Sequence, residues 1–141
     1  MTFNANDARD LIMKRYLNPQ NAASESEKDL DFKFKQSQTC ADSLWASLKW
    51  DGDLLVDVKT KSEGCAIFRS STDILIDVLK NKTKQEISQI LKTYEDFIER
   101  GDMTEEESEL LGPLWVFYNV KKHLSRISCS KIFSDLIKND L

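Results

Sequence analysis

Apolar residues recur with period two in three stretches: Leu30, Phe32 and Phe34, then Leu44, Ala46, Leu48 and Trp50, then Leu54, Val56 and Val58. Successive side chains of a strand point to opposite faces, so the pattern predicts three strands. Asp51-Gly52 separates the last two, and its tolerance of positive φ suits a tight hairpin, which makes those strands antiparallel neighbours. A three-stranded antiparallel meander follows.

Elsewhere the period is 3.6. Ala8, Leu11, Ile12 and Tyr16 predict a short amphipathic helix over residues 6–16, with Asp7 placed to favour its dipole. Ile67, Ser71, Ile74, Leu75, Val78 and Leu79 predict a second helix ending near Asn81, which covers the sheet. Thr83 and Glu86 have the spacing of a capping box, ahead of Ile87, Ile90, Leu91, Tyr94, Phe97 and Ile98 on one stripe. A short apolar helix is expected from Leu114 to Lys122, and a final one carries Ile132, Phe133, Leu136 and Ile137 inward.

Two segments lack such periodicity. Residues 18–29 are polar, contain Asn18-Pro19, and read as a loop or mobile connector that leaves the first helix loosely tethered. Residues 99–112 are acidic and open on Arg100-Gly101-Asp102, and a solvated turn or helix capped by Thr104 accounts for them without any chemistry.

A chain of 141 residues is the size of one domain, and its 40% hydrophobic and 31% charged residues are the ordinary globular mix. The net charge of −4 disfavours nucleic acid and anionic lipid as partners. The longest apolar run, residues 114–118, is too short to span a bilayer, and the first residues do not resemble a signal peptide. A cytoplasmic location is the expectation.

Three cysteines cannot all pair within one chain, and the cytosol keeps thiols reduced. Burial, metal binding and sulfur chemistry all remain open. Cys40 falls in the first hairpin turn, Cys65 between sheet and helix, and Cys129 at the expected start of the last helix. A helix N-terminus favours thiolate, so Cys129 should gain most and Cys65 share the effect. Zinc takes four sulfur, nitrogen or oxygen ligands, and Asp42, two positions after Cys40, can complete a set with Cys65 and Cys129. Four anionic ligands around a divalent ion call for a nearby cation, for which Arg126 is the candidate. His123 is a second-rank ligand, and Trp45, Trp50 and Trp115 read as core or strand-face aromatics.

The segments "FNAN" at 3–6, "LIMKRYLNPQN" at 11–21, "CAD" at 40–42, "GCAIFRSST" at 64–72 and "RISCS" at 126–130 together resemble the SufU branch of the NifU/IscU family of iron–sulfur cluster assembly proteins. The resemblance spans nearly the whole chain. Two features favour that branch over the scaffold branch: the long separation of Cys65 and Cys129, and Ser128 where scaffold proteins carry histidine. Arg126 also stands where SufU-like proteins have an arginine.

The resemblance implies an α+β fold with a small antiparallel sheet covered by helices, zinc on Cys40, Asp42, Cys65 and Cys129, and residues 99–112 as an insertion. It implies sulfur transfer from a pyridoxal-phosphate cysteine desulfurase of the SufS type, with Cys40 as acceptor, feeding iron–sulfur assembly machinery. Exchange of ligands at the zinc on docking would free Cys40 to attack the persulfide. Ala41 replaces the family's usual glycine, so a turn needing positive φ there would be strained. Two alternatives are a scaffold holding a labile [2Fe–2S] cluster, and a structural zinc domain without sulfur chemistry.

Overall fold

The computed structural model describes residues 3–38 and 40–141. Its sheet runs in chain order, β1 (Lys33–Gln36), β2 (Ser43–Asp51) and β3 (Leu54–Glu63), antiparallel throughout. Gly52, at φ 62°, opens the two-residue connection between β2 and β3, the glycine-first arrangement that matches strand twist. The α+β class is as the resemblance implies, and the meander is as the alternation predicts.

The phase of that alternation differs in two places. A register shift at Lys49/Trp50 leaves Val56 without an opposite residue, so Leu55 and Val58 are buried while Leu54 and Val56 are only half covered. A bulge re-aims every side chain beyond it, and no local signal in the sequence marks it. In β1 the apolar side faces away from the helices: Phe34, 53% exposed, meets Trp45 with ring centroids 5.1 Å apart on the open face of the sheet. Leu44, Ala46, Leu55 and Val58 form the face that packs into the core.

The helices are α1 (Ala5–Leu17), α2 (Ala66–Leu79), α3 (Lys84–Arg100), α4 (Glu105–Leu111), α5 (Leu124–Ser130) and α6 (Ile132–Ile137). None of the described helices is long and apolar enough to cross a membrane. Helix α2 is the centre of the molecule, buried on nearly all sides because α1 packs on its far flank. Its interior hydroxyls bond back to its own carbonyls, Ser70 Oγ to Ala66 O at 2.6 Å and Ser71 Oγ to Phe68 O at 3.1 Å, which gives each an acceptor within the helix.

Helix α3 follows its sequence signature closely. Thr83 and Glu86 form the reciprocal cap, Gly101 ends the helix at φ 84°, and Ile87, Ile90, Leu91, Tyr94, Phe97 and Ile98 are its buried positions. Thr83→Ala removes one cap acceptor and should cost about 1 kcal/mol of unfolding free energy, read from the midpoint of a urea melt.

The connector 18–29 is tied down, contrary to the polar reading. Asn21 is buried, Gln20 N and Asn21 N donate to Asp73 of α2 at 2.8 and 2.9 Å, and Ala22 bridges to Thr60 of β3. Arg15 of α1 donates to Asp73 at 2.7 Å and also pairs with Asp77. A polar stretch thus docks through charge and hydrogen bonds, which hydrophobic periodicity does not register. The stretch 114–122 forms two 3-10 segments, Gly112–Phe117 and Val120–Lys122, in place of one α-helix. The acidic segment contains α4, capped by Thr104 as expected.

Candidate metal centre

Three separate parts of the chain converge at one edge of the fold. The β1–β2 loop brings Cys40 and Asp42, the end of β3 brings Gly64 and Cys65, and α5 brings Cys129. The loop is closed by Ser37 N donating to Asp42 O at 2.9 Å, and Cys40 N donates to Ser37 Oγ at 3.3 Å. Ala41 needs no left-handed backbone: Asn81 is the one described non-glycine residue with positive φ. Thr39, beside Cys40, lies outside the described residues.

Asp42 is the hub. It is 2% exposed, its Oδ1 accepts the backbone N–H of Cys65 at 2.9 Å, and its Oδ2 lies 3.1 Å from Cys40 Sγ and 3.8 Å from Cys65 Sγ. Cys40 Sγ is 3.1 Å from Cys129 Sγ, and none of the three cysteines is in a disulfide. One ligand atom from each of Cys40, Asp42 and Cys129 lies within 4.8 Å of the others, a group able to hold a metal ion. Cys65 sits at its exposed rim, within reach of Asp42.

Gly64 makes this approach possible. Its φ is 155°, and a Cβ added there would stand 2.1 Å from Asp42 Oδ1 and 2.7 Å from the Phe68 ring. Only a residue without a side chain lets the strand end pass so close to a buried carboxylate. Sequence reading singled out neither Gly64 nor Ser37, whose Oγ lies 3.3 Å from Cys40 Sγ. A glycine directly before Cys65 at a strand end is the signal that could have marked the first, and nothing local marks the second.

The electrostatics of Cys129 reverse the expectation. It lies in the last turn of α5, with Lys131 separating that helix from α6, so it does not face a free helix N-terminus. Burial is the main cause that pushes its thiol well above the usual range, with hydrogen bonds to Asp42 and Cys40 and the charges of Cys65 and Asp42 adding to it. Cys65 does occupy such an end: it is the N-cap of α2, and Phe68 N donates to its Sγ at 3.5 Å. Buried Tyr94 of α3 helps hold α5 in place through Tyr94 Oη donating to Ser130 O at 2.9 Å.

Arg126 is on α5, exposed, beside a groove shared with Arg9, Ile67 and Tyr118, and makes no ion pair among the described residues. His123 is the exposed N-cap of α5 and is not part of the metal-holding group. Trp45 lies on the open sheet face, Trp50 donates to Asp140 at 2.8 Å, and Trp115 stacks on Phe3.

The family model for the NifU-like N-terminal domain matches residues 7–130. The chain is 29% identical to the zinc-dependent sulfurtransferase SufU of Bacillus subtilis over 138 residues, covering 94% of this chain and 89% of that protein. It is 26% identical to the iron–sulfur cluster assembly scaffold protein IscU of Streptococcus pyogenes over 100 residues, which covers 71% of this chain and 62% of that one. Among solved structures, a candidate iron–sulfur cluster assembly scaffold protein for the SUF system from Fervidobacterium islandicum superposes with a TM-score of 0.78 at 28% identity, over 92% of each chain. The N-terminal part of a nitrogen-fixing NifU-like protein from Brucella abortus shares the fold, with a TM-score of 0.76 at 14% identity over 96% of this chain and 94% of that one. The meander under its helices, the ordered cysteines with Asp42 and these likenesses agree: the chain belongs to the NifU-like N-terminal domain family, on its SufU-like side.

Proposed function

We propose that this protein is a zinc-dependent sulfurtransferase that accepts persulfide sulfur from a cysteine desulfurase for iron–sulfur cluster assembly. The observation that carries the reading is the convergence of Cys40, Asp42 and Cys129, with Cys65 at the rim, in a chain resembling SufU along nearly its whole length.

The donor set fits zinc in kind: three sulfurs and one carboxylate oxygen match a tetrahedral ion's preferences. The 3.1 Å between Cys40 Sγ and Cys129 Sγ is closer than two thiolates ~2.3 Å from one tetrahedral ion would stand, so the pair has to part to admit it. Cys40, Asp42, Cys65 and Cys129 would hold the metal. Bound there, zinc would keep the thiols deprotonated and shielded from oxidation. Arg126, one turn before Cys129, would offset the anionic charge from the outer side.

Cys40 is the acceptor in this reading because it is carried by a loop and partly exposed, whereas Cys129 is buried on α5 and Cys65, though exposed, is fixed as the N-cap of α2. The Cys40 thiolate attacks the outer sulfur of the desulfurase persulfide. A bond forms between Cys40 Sγ and that sulfur, the bond to the desulfurase sulfur breaks, and the desulfurase cysteine leaves as thiolate while the proton stays on the transferred sulfur. Ser37 Oγ, 3.3 Å from Cys40 Sγ, steadies the acceptor by hydrogen bonding.

Mass spectrometry after incubation with desulfurase and free cysteine tests this directly: a gain of one sulfur on the Cys40 peptide is expected, and an unmodified chain beside an active desulfurase would refute it. Scaffolding of a [2Fe–2S] cluster is the second reading, favoured by the likeness to IscU and by the same four donors. Anaerobic reconstitution that leaves the protein without visible absorption disposes of it.

Gly64→Ala provides an independent check on the metal site. The new Cβ displaces the Asp42 carboxylate, and zinc affinity should fall by about 10- to 100-fold, the usual effect of disturbing a ligand's support, as read by competition with a chelating dye. Unchanged affinity would show that Asp42 is not a ligand.

A further inference from the structure

A second cavity opens beside the thiols. It has a volume of about 280 Å³ and lies between the end of β1 with its following loop, Lys35 to Gln38, and the α5–α6 junction, where Ser128, Lys131, Ile132 and Asp135 line it. Ser37 places its wall against the acceptor, 3.3 Å from Cys40 Sγ, and Ser128 adjoins Cys129. The charges lining it are arranged unequally. Lys131 is already paired with Glu99 at 2.9 Å, whereas Lys35 makes no ion pair among the described residues and Asp135 has only Lys138, at 3.9 Å. A positive and a negative group thus face the cavity from opposite walls, and Ile132 gives it an apolar patch.

We propose that this cavity binds a low-molecular-weight thiol with a zwitterionic amino-acid head, of which free cysteine is the simplest case, and that this thiol takes the sulfur from Cys40. The carboxylate of the small molecule pairs with Lys35, its ammonium with Asp135, and its thiol lies along Ser37 toward Cys40. With Lys131 taken up by Glu99, Lys35 and Asp135 are the charges left to meet a ligand, and a zwitterion matches both where a simple anion or cation leaves one unmatched. The inference rests on the sulfurtransferase reading and adds where the sulfur goes next. The chemistry balances as a transpersulfidation: the bound thiolate attacks the outer sulfur of the Cys40 persulfide, a new sulfur–sulfur bond forms on the small molecule, and the bond to Cys40 Sγ breaks. Cys40 leaves as thiolate, the proton remains on the transferred sulfur, and no external oxidant or reductant is needed.

Two measurements on the full, zinc-supplied chain test this. In the first, S-methyl-L-cysteine, which cannot react, is titrated while the amide signals of Ser37, Ser128 and Asp135 are followed by NMR. Saturable shifts at these residues are expected, with affinity weakened about tenfold in Lys35→Ala and in Asp135→Asn, the worth of one charge-assisted hydrogen bond. Shifts that do not saturate, or that map to another face, overturn the proposal whether or not the protein carries sulfur. In the second, protein loaded by the desulfurase and freed of small molecules is mixed with cysteine, cysteamine or 3-mercaptopropionate at matched thiolate concentration. Cysteine should unload Cys40 about tenfold faster than the other two at low concentration, losing its lead over cysteamine in Lys35→Ala and over 3-mercaptopropionate in Asp135→Asn. Equal rates for the three thiols overturn the proposal while leaving sulfur acceptance intact, and failure to load at all counts against sulfur acceptance itself.

Discussion

Cys40→Ala protein, incubated with an active cysteine desulfurase and free cysteine, is expected to gain no sulfane sulfur on any residue and to stimulate turnover no more than buffer does. The size of the effect follows from the roles of the three thiols. Cys129 is 4% exposed, so a persulfide on a docked partner does not reach it, and Cys65, though exposed, has its sulfur engaged by Phe68 N at the start of α2. Neither substitutes for a half-exposed cysteine on a loop. The variant should fold, since Cys40 only flanks the core, though it loses one metal donor. Sulfur found on Cys65 or Cys129 of this variant would move the acceptor role to that residue.

Asp73→Ala should produce the largest loss of stability, about 3 to 5 kcal/mol, because it leaves the guanidinium of Arg15 buried without its main partner. The carboxylate of Asp73 receives Arg15 Nε at 2.7 Å, Gln20 N at 2.8 Å and Asn21 N at 2.9 Å, and its backbone oxygen receives Asn21 Nδ2 at 3.1 Å. One residue therefore fastens α1, the connector and α2 together. Burial opposes the charge on Arg15, yet the hydrogen bonds and charges of Asp73 and Asp77 prevail and its pKa is raised, so the guanidinium stays charged. The Arg15→Ala and Asp73→Ala changes together should cost clearly less than the sum of the two alone, measured by urea denaturation. Additive losses would mean that the two side chains do not depend on each other.

The contrast between α3 and the connector shows what in this fold was readable in advance. Helix α3 is set by local features, a cap at Thr83 and Glu86 and a stripe from Ile87 to Ile98, and every one of those positions is where periodicity puts it. The connector is set by partners more than 50 residues away in sequence, such as Asn21 with Asp73 at a separation of 52, and polar residues carry no period that announces such partners. The bulge opposite Lys49 and Trp50 is of the same kind, since it re-aims Leu55 without any local mark.

The site divides in the same way. The order of Cys40, Asp42, Cys65 and Cys129 was legible through resemblance, but the local environment of Cys129 was not. Its expected place at a helix start depended on one helix beginning near it, whereas the chain forms two short helices that break at Lys131. Cys129 consequently comes from a helix end and sits in a buried, anionic neighbourhood, which raises its pKa where a helix N-terminus would have lowered it. Gly64 is important because of the atom it lacks, and that becomes visible only when Asp42 is seen against it.

The most direct measurement is metal analysis of the purified protein, combined with X-ray absorption at the zinc edge. One zinc per chain, with three sulfurs at about 2.3 Å and one lighter donor, is the predicted result. A chain that retains no zinc when amply supplied with it, or that binds zinc through nitrogen and oxygen alone, contradicts the account.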